Sequence, residues 1–511
     1  MKRIGIDVGG TNTDAVLIDD SGVLASVKVP TSADVMGGVV AALNAVAPAD
    51  RSGIGAVMIG TTHFTNAVIE RSRLERMAVI RIAMPSTASL PPGCDWPQDL
   101  LRVVDPMIFM VEGGHDFDGR PLVPLDQAAI RDAAARIRDA GIRSVAIVGL
   151  FSPLTAECED AAAAIVGDVI PDARITLSGR LGRIGLLERE NVAMLNAALQ
   201  SCGRMTVDAF KAALADTGIA APFYLTQNDG TVVLADIAAA NPVYSFASGP
   251  TNSMRGAAWL TGLTNAMVAD VGGTTTDIGC LVDGFPREAN SVVSVGGVRT
   301  LFRMPDLLPI GLGGGTIIDA ATGAIGPQSV GYRITQEARV FGGTTLTATD
   351  IAVAAGRAAI GDKDRLRGLD AAQVADFSAR IAAMIEDNID RMKLSAGDTD
   401  LIAVGGGAFL IPERIRGVGR IHRVEHAGVA NAIGAAMAQI SGEVDQVFAD
   451  KGRDTAIAEA EALAISRCVQ AGADVATVKV IEIEDLPLAY LKGDARRVRV
   501  RVVGDIDRKG A

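Results

Sequence analysis

DVGGTNTD, residues 7–14, opens the chain, and DVGGTTTD, residues 270–277, returns near its middle, with seven of eight positions identical. Each copy ends an apolar, strand-like run, KRIGIDV (2–8) in the first case and NAMVADV (265–271) in the second. A second run follows each, AVLID (15–19) or TDIGCLVD (276–283). Then come a turn, DSG or GFPRE, and a third run, VLASVKV (23–29) or NSVVSVG (290–296). The repeated unit is therefore strand, glycine loop, strand, turn, strand. It recurs after about half a chain, which marks an internal duplication and not a short-period solenoid.

Outward from these units the pattern alternates. A helical stretch at 35–47 precedes a strand at 55–60, a helix beginning at Thr62 and a strand at 77–83. Helices at 127–140 and 155–168 alternate with strands at 144–150 and 174–178. After the second unit come a glycine-rich loop, IGLGGGTI (310–317), a helix at 371–392, a strand at 400–406 and a helix at 429–441. A further helix at 443–470 and strands at 477–482 and 496–503 complete the reading. Such alternation predicts an α/β protein built around largely buried sheets.

Composition narrows the class. A chain of 511 residues exceeds one core and implies two or more domains. With 49% hydrophobic and 21% charged residues it is globular, and with only 4% aromatics its core must be aliphatic. A net charge of -12 argues against nucleic acid or an anionic membrane as partner. RRVRVRV (496–502) alternates and reads as a strand with one solvated, charged face. Five scattered cysteines without a CxxC pair fit free thiols in a reducing cytoplasm. No signal-peptide layout or membrane-length apolar run is evident, so a soluble cytoplasmic protein is expected.

The repeated phrase has a chemical logic. Glycines after a strand let the chain turn with its amides exposed, because no Cβ blocks an approaching anion. Successive exposed N–H groups form an anion-binding nest, to which Thr and Asn side chains add donors. An aspartate beside a phosphate is explained if it holds a hydrated Mg²⁺. Two such loops facing each other would grip a polyphosphate from both sides. The phrase is neither a dinucleotide fingerprint nor a P-loop, since a strand follows it and no GxxxxGK[ST] occurs. VGGGAFL (404–410) ends a strand and opens a helix, and its small residues suit an adenosine.

These three elements, in this order, resemble the actin–hexokinase–heat-shock ATPase superfamily. Within it the chain is similar to the ATP-binding (A-type) subunit of the hydantoinase/oxoprolinase family over Ile4 to Ala436. The likeness includes GTTHFTNAVIER (60–71), ERENVAMLNAAL (188–199), SGP (248–250) and GLGGGTI (311–317). It implies two ribonuclease-H-like lobes of the actin-like ATPase fold with a nucleotide cleft between them, plus a small C-terminal α/β extension. The divisions expected are 1–180, 181–440 and 441–511. By resemblance, Asp7 and Asp270 are catalytic and hold Mg²⁺ through water. Gly9, Gly10, Thr11 and Asn12 form one phosphate jaw, and Gly272, Gly273, Thr274 and Thr275 the other. Gly405, Gly406 and Gly407 pack on the nucleoside. Thr62, His63, Arg189 and Gly314 are weaker substrate candidates. For His63 a packed residue beside a capping Thr is an equal reading, as is an inter-domain polar network for Glu188, Arg189 and Asn196.

The family chemistry is ATP-dependent phosphorylation of a cyclic amide (a hydantoin, oxoproline or other lactam) that enables ring opening. A second, B-type hydrolase subunit and an oligomer are implied with it. Phosphoryl transfer needs positioning and charge neutralisation more than a protein nucleophile. Three other readings stay open. One is a small-molecule kinase of the same superfamily, and another an ATP-gated regulatory or chaperone-like clamp. The third is a zinc peptidase built on His422, Glu425 and His426, whose HxxEH spacing needs a helix.

Overall fold

The computed structural model describes residues 1–9, 12–30, 35–182, 184–289, 293–301, 304–488 and 495–507. Strands β1 (Lys2–Val8), β2 (Asn12–Asp19), β3 (Gly22–Pro30) and β4 (Ile54–Thr61) begin the first sheet. A separate parallel sheet follows, made of β5 (Met77–Met84), β6 (Met107–Glu112), β7 (Ser144–Gly149) and β8 (Arg174–Leu177) in the order β6-β5-β7-β8. The chain returns to the first sheet with β9 (Phe223–Thr226) and β10 (Thr231–Leu234).

The second copy of the repeat contributes β11 (Ala266–Val271), β12 (Thr276–Val282) and β13 (Phe285–Pro286). A hairpin of β14 (Val293–Val295) and β15 (Val298–Thr300), then β16 (Leu307–Ile310), follows. A second hairpin pairs β17 (Thr316–Ile318) with β18 (Ile325–Ser329). β19 (Thr399–Val404) and β20 (Val418–Arg423) complete the second sheet. Finally β21 (Gln439–Phe448), β22 (Lys479–Pro487) and β23 (Arg496–Gly504) extend the first.

The duplication survives in three dimensions. The first sheet contains β3-β2-β1-β4-β9 and the second β16-β12-β11-β19-β20, with matching antiparallel and parallel senses at every step. Each sheet buries its own aliphatic core, with Ile4, Ile6, Val57 and Ile59 in the first lobe and Met267, Ala269, Leu401 and Ala403 in the second.

Two helices carry the chain between the lobes. Ser248–Thr261 leads towards β11, and Ala430–Met437 leads back to β21. They cross at glycine. A Cβ on Gly256 would lie 2.0 Å from the Ala430 carbonyl oxygen, and one on Gly434 1.8 Å from that of Asn252. Only a residue without a side chain permits this approach, and it sets Ala430–Met437 against β1 and Ser248–Thr261 against β11.

The linear division at 180/181 and 440/441 does not follow the sheets. β9 and β10 lie beyond the first boundary yet pair in the first lobe, and so do β21–β23 beyond the second. The C-terminal extension therefore widens the first lobe's sheet to nine strands. Residues 443–448, expected in a helix, belong to β21. Ile440 and Val444 face the core at strand spacing, and Gly442 lets the helix Arg453–Gln470 pack flat against the strand. The expected strand 290–296 begins outside the described residues, and 293–295 pairs only in the β14–β15 hairpin. Its expected place beside β12 is taken by β13 and β16. RRVRVRV is a strand, but three of its four arginines are buried. Arg496, Arg499 and Arg501 are 8%, 4% and 5% exposed. They pair with Asp485, with Glu288, Glu443, Glu482 and Glu484, and with Asp229 and Glu288, respectively. Burial of these charges is tolerable because carboxylates surround them.

Candidate active site

Both copies of the repeated phrase form the same hairpin mouth. Across β1 and β2, Asp7 lies opposite Asp14; across β11 and β12, Asp270 lies opposite Asp277. The Gly9 N–H donates to the Asn12 carbonyl at 3.0 Å, and the Gly272 N–H donates to the Thr275 carbonyl at 2.8 Å. Gly10 and Thr11 lie outside the described residues. In the second mouth Thr274 and Thr275 stand exposed at the tip, with Gly272 and Gly273 half-buried behind them.

The two mouths lie within electrostatic reach of each other, Asp270 acting on Asp7 and Asp14 on Asp270. Asp7 is 8% exposed, and the charge of Asp270 is felt at its carboxyl group. Burial, then the neighbouring Asp14, raises the Asp7 pKa to about 7. Burial, then Asp270, does the same for Asp277, which also reaches about 7. Asp14 and Asp270 are likewise pushed up, chiefly by burial. Four carboxylates thus crowd a space of low dielectric, where their charged forms are disfavoured. Asp7 Oδ2 accepts from Asn431 Nδ2 at 3.2 Å, while Oδ1 is buried without a partner among the described residues. Such an arrangement fits a cation or a water shell delivered by a ligand. No three His, Cys, Asp or Glu side chains converge as direct metal ligands among the described residues.

The glycine loops are stitched to the second mouth. The Gly407 N–H donates to Val271 O at 2.7 Å, and Gly405 has φ +87°. A Cβ on Gly405 would meet Asp270 Oδ1 at 2.3 Å, whereas one on Gly406 would meet open space. Gly406 is therefore the face on which a flat group can lie. Gly314 and Gly315 donate to Gly272 O and Gly273 O at 3.0 and 2.7 Å. Gly314 is buried, and its carbonyl accepts from Thr349, so it braces the phosphate loop from behind instead of meeting substrate.

Register reveals a correspondence invisible in sequence. Gly60 on β4 lies opposite Asp7, as Val404 on β19 lies opposite Asp270. Thr61, Thr62 and His63 therefore occupy in the first lobe the place of Gly405, Gly406 and Gly407 in the second. His63 Nδ1 contacts the Thr61 hydroxyl, and its ring packs edge-on against Phe210. Burial lowers its pKa, so the imidazole is neutral at pH 7. Thr62 is half-buried and lies against Gly249 of the SGP motif.

Arg189 does not reach the crevice. It is 1% exposed and donates to Ser178 Oγ at 2.9 Å and to the Gly149 carbonyl, within a polar junction that holds the four-stranded sheet. Glu188 pairs with Arg299, and Asn196 donates to Thr176 and to the Ala240 carbonyl. These are structural connections between segments. The HxxEH stretch forms no helix. His422 lies on β20 with Asp400 at 3.4 Å, and His426 adopts a left-handed backbone with φ 62°. The two histidines lack the shared helical face that zinc ligation needs.

Sequence reasoning missed Asn252, Asn431 and Lys28. Asn252 is fully buried, donates to Thr226 Oγ1 at 3.0 Å, and leaves its Oδ1 without a partner among the described residues. A Cβ on Gly60 would lie 2.6 Å from Asn252 Nδ2 and 2.9 Å from Asp7 Oδ1, so glycine there lets both approach. Asn252 and Asn431 sit on or beside the crossing helices, far in sequence from β1.

Two matched lobes, each with a glycine hairpin at the end of its first strand, define the actin-like ATPase fold. Residues 3–170 match the hydantoinase/oxoprolinase N-terminal region, and residues 189–363 match the hydantoinase/oxoprolinase domain. The chain belongs to the hydantoinase/oxoprolinase family. It is 27% identical over 395 residues to the caprolactamase subunit alpha of Pseudomonas jessenii, covering 70% of this chain and 55% of that protein. It is 25% identical over 395 residues to the acetophenone carboxylase gamma subunit of Aromatoleum aromaticum, covering 70% and 53%. The chain thus spans about half the length of these curated relatives. Among solved structures, the ATP-dependent caprolactamase of Pseudomonas jessenii aligns with TM-score 0.75 at 18% identity, over 99% of this chain and 88% of the other. An acetone carboxylase structure aligns with TM-score 0.71 at 17% identity, over 99% and 88%. These likenesses establish the shared fold. Among the described residues no helix is long and apolar enough to cross a membrane.

Proposed function

We propose that this chain is the ATP-handling part of a cytoplasmic, ATP-dependent amidohydrolase that phosphorylates the carbonyl oxygen of a cyclic amide and so prepares the ring for opening. The observation that carries this reading is the facing pair of Asp7 and Asp270 in equivalent hairpins on opposite lobes. In it, Gly9 and Asn12 receive the nucleotide phosphates from one side and Gly272 to Thr275 from the other, while the nucleoside lies on Gly405 to Gly407. Asp7 and Asp270 would hold a Mg²⁺ ion through water, and the ion would supply positive charge at the phosphates. Thr61 to His63, the counterpart of the nucleoside loop, face the amide.

The chemistry balances without a protein nucleophile. The amide oxygen attacks the γ-phosphorus, the bridging P–O bond breaks, and its electron pair leaves on ADP. Water then adds to the activated carbon, the ring C–N bond breaks with its electron pair and a proton going to nitrogen, and a second water releases inorganic phosphate from the acyl phosphate left behind. The named relatives favour a carbonyl acceptor: caprolactam is a lactam and acetophenone a ketone, and both present a carbonyl oxygen. Both relatives are named as subunits, which supports a partner that completes the hydrolysis, in an oligomer.

The test is ATP turnover by the purified chain, alone and with its partner, in the presence of hydantoins, lactams or 5-oxoproline. Stimulated ADP release coupled to ring opening is expected. A stable phosphorylated product would assign a kinase instead, and slow turnover unaffected by any small molecule would assign an ATP-gated clamp.

A further inference from the structure

The duplication breaks at a position beside the paired aspartates. Opposite Asp14 across β2 and β3 stands Lys28; opposite Asp277 across β12 and β16 stands Pro309. The crevice therefore carries a basic side chain on one jaw and none at the equivalent place on the other. Lys28 Nζ lies 2.7 and 2.6 Å from the two oxygens of Asp14. Its charge also acts on Asp7 and Asp270, which stand on opposite sides of the crevice. Asp14 is 9% exposed at its side chain and Lys28 36%, so the pair is rooted in the wall while the ammonium reaches solvent.

An ammonium has three N–H donors, and Asp14 engages two of them. The third has no partner among the described residues. A polyphosphate entering a space lined by four carboxylates needs positive charge at the phosphoryl oxygens. A point charge fixed by a carboxylate can supply it without rearrangement during the reaction.

We propose that Lys28 is a catalytic residue that donates a hydrogen bond to the phosphoryl group in transfer, and that Asp14 is the positioning residue that holds it there. This rests on the nucleotide reading of the crevice given above. As the acceptor oxygen bonds to phosphorus and the bridging P–O bond breaks, negative charge spreads over the equatorial oxygens. Lys28 keeps its proton throughout and offsets that charge. At the equivalent place on the second jaw stands Pro309, so there the moving group meets backbone amides and Asp270.

The test compares wild type, Lys28→Met, Lys28→Arg and the double variant Lys28→Met/Asp14→Asn. Binding of ADP and of a non-hydrolysable ATP analogue is measured by calorimetry, beside ATP turnover and melting temperature. For Lys28→Met we expect turnover to fall about 100- to 1,000-fold, the scale of losing one preorganised charge donor. Affinity for the ATP analogue should fall roughly 10-fold, as for one lost charged contact, with ADP affinity unchanged. Lys28→Arg should recover part of the turnover, and it keeps the wall charge balanced if Lys28→Met fails to fold. If Lys28 only neutralises Asp14, the double variant regains the turnover lost by Lys28→Met, and the proposal is overturned. It is also overturned if ADP and ATP-analogue affinities fall together. Normal turnover by Lys28→Met would remove Lys28 alone and leave the functional reading standing, whereas a wild-type chain that binds neither nucleotide would remove both.

Discussion

Replacing Asp7 with asparagine should make the nucleotide-free protein more stable while abolishing its ATP turnover. Asp7 is held in its folded state with a pKa of about 7, well above the ordinary carboxylate value of 3.8, through burial and the proximity of Asp14. The folded state thus keeps a proton that the unfolded state releases, and stability falls as pH rises from about 4 through 7. A shift of roughly three units at about 1.4 kcal/mol each sets an upper bound of about 4 kcal/mol above pH 7. Asp14 and Asp270 titrate against the same group and share the burden, so about 2 kcal/mol is the working value. Asparagine has the same shape, can still accept from Asn431 and does not titrate. The assay is a melting curve without nucleotide across pH 4 to 8. The variant should melt a few degrees above wild type at pH 8, and the gap should narrow steadily towards pH 4. A variant that melts below wild type at pH 8, or a gap independent of pH, would refute the crowding of carboxylates deduced from the crevice.

Other outcomes follow from the same geometry. Asp270→Ala should abolish ATP turnover with an unchanged circular dichroism spectrum; near-normal turnover would contradict its assigned role. Magnesium affinity, measured by titration calorimetry with ADP present, should rise with pH through about 7, because Asp7 must give up its proton to hold the ion through water. Gly434→Ala should destabilise the protein by about 3 kcal/mol or more, since its Cβ would overlap the Asn252 carbonyl, a backbone atom that can retreat only by parting the crossing helices. A melting temperature equal to wild type would show that the crossing is looser than the contact implies.

Much of the site could be read from the chain in order. Among the described residues, the second glycine mouth and the Gly405–Gly407 turn lie at strand ends as expected, and Thr61 ends β4 where His63 opens a helix, because each is a short segment set by its own residues. Arg189 and Gly314 were misplaced for a different reason. Their residue types suit a site, but their side chain or backbone is used up by partners the local sequence does not name, Ser178 and Gly149 for one, Gly272 and Thr349 for the other. The buried charges of β23 misled in the same way. Alternation of Arg and Val defines a strand, yet only the acids of β21, β22 and the neighbouring lobe decide that the arginine face is covered.

What the sequence by itself determined was local: strand period, glycine turns and the duplicated hairpin. Sterics and hydrogen bonds within a few residues dictate these, so they are written wherever the residues occur. Tertiary structure alone decided which carboxylates crowd together, that Lys28 stands opposite Asp14 while Pro309 stands opposite Asp277, and that Asn431 reaches Asp7 from the far end of the chain. Those facts depend on strand register and on two helices meeting at glycine. They arise when distant segments bury their apolar faces together, and no window of neighbouring residues contains that information.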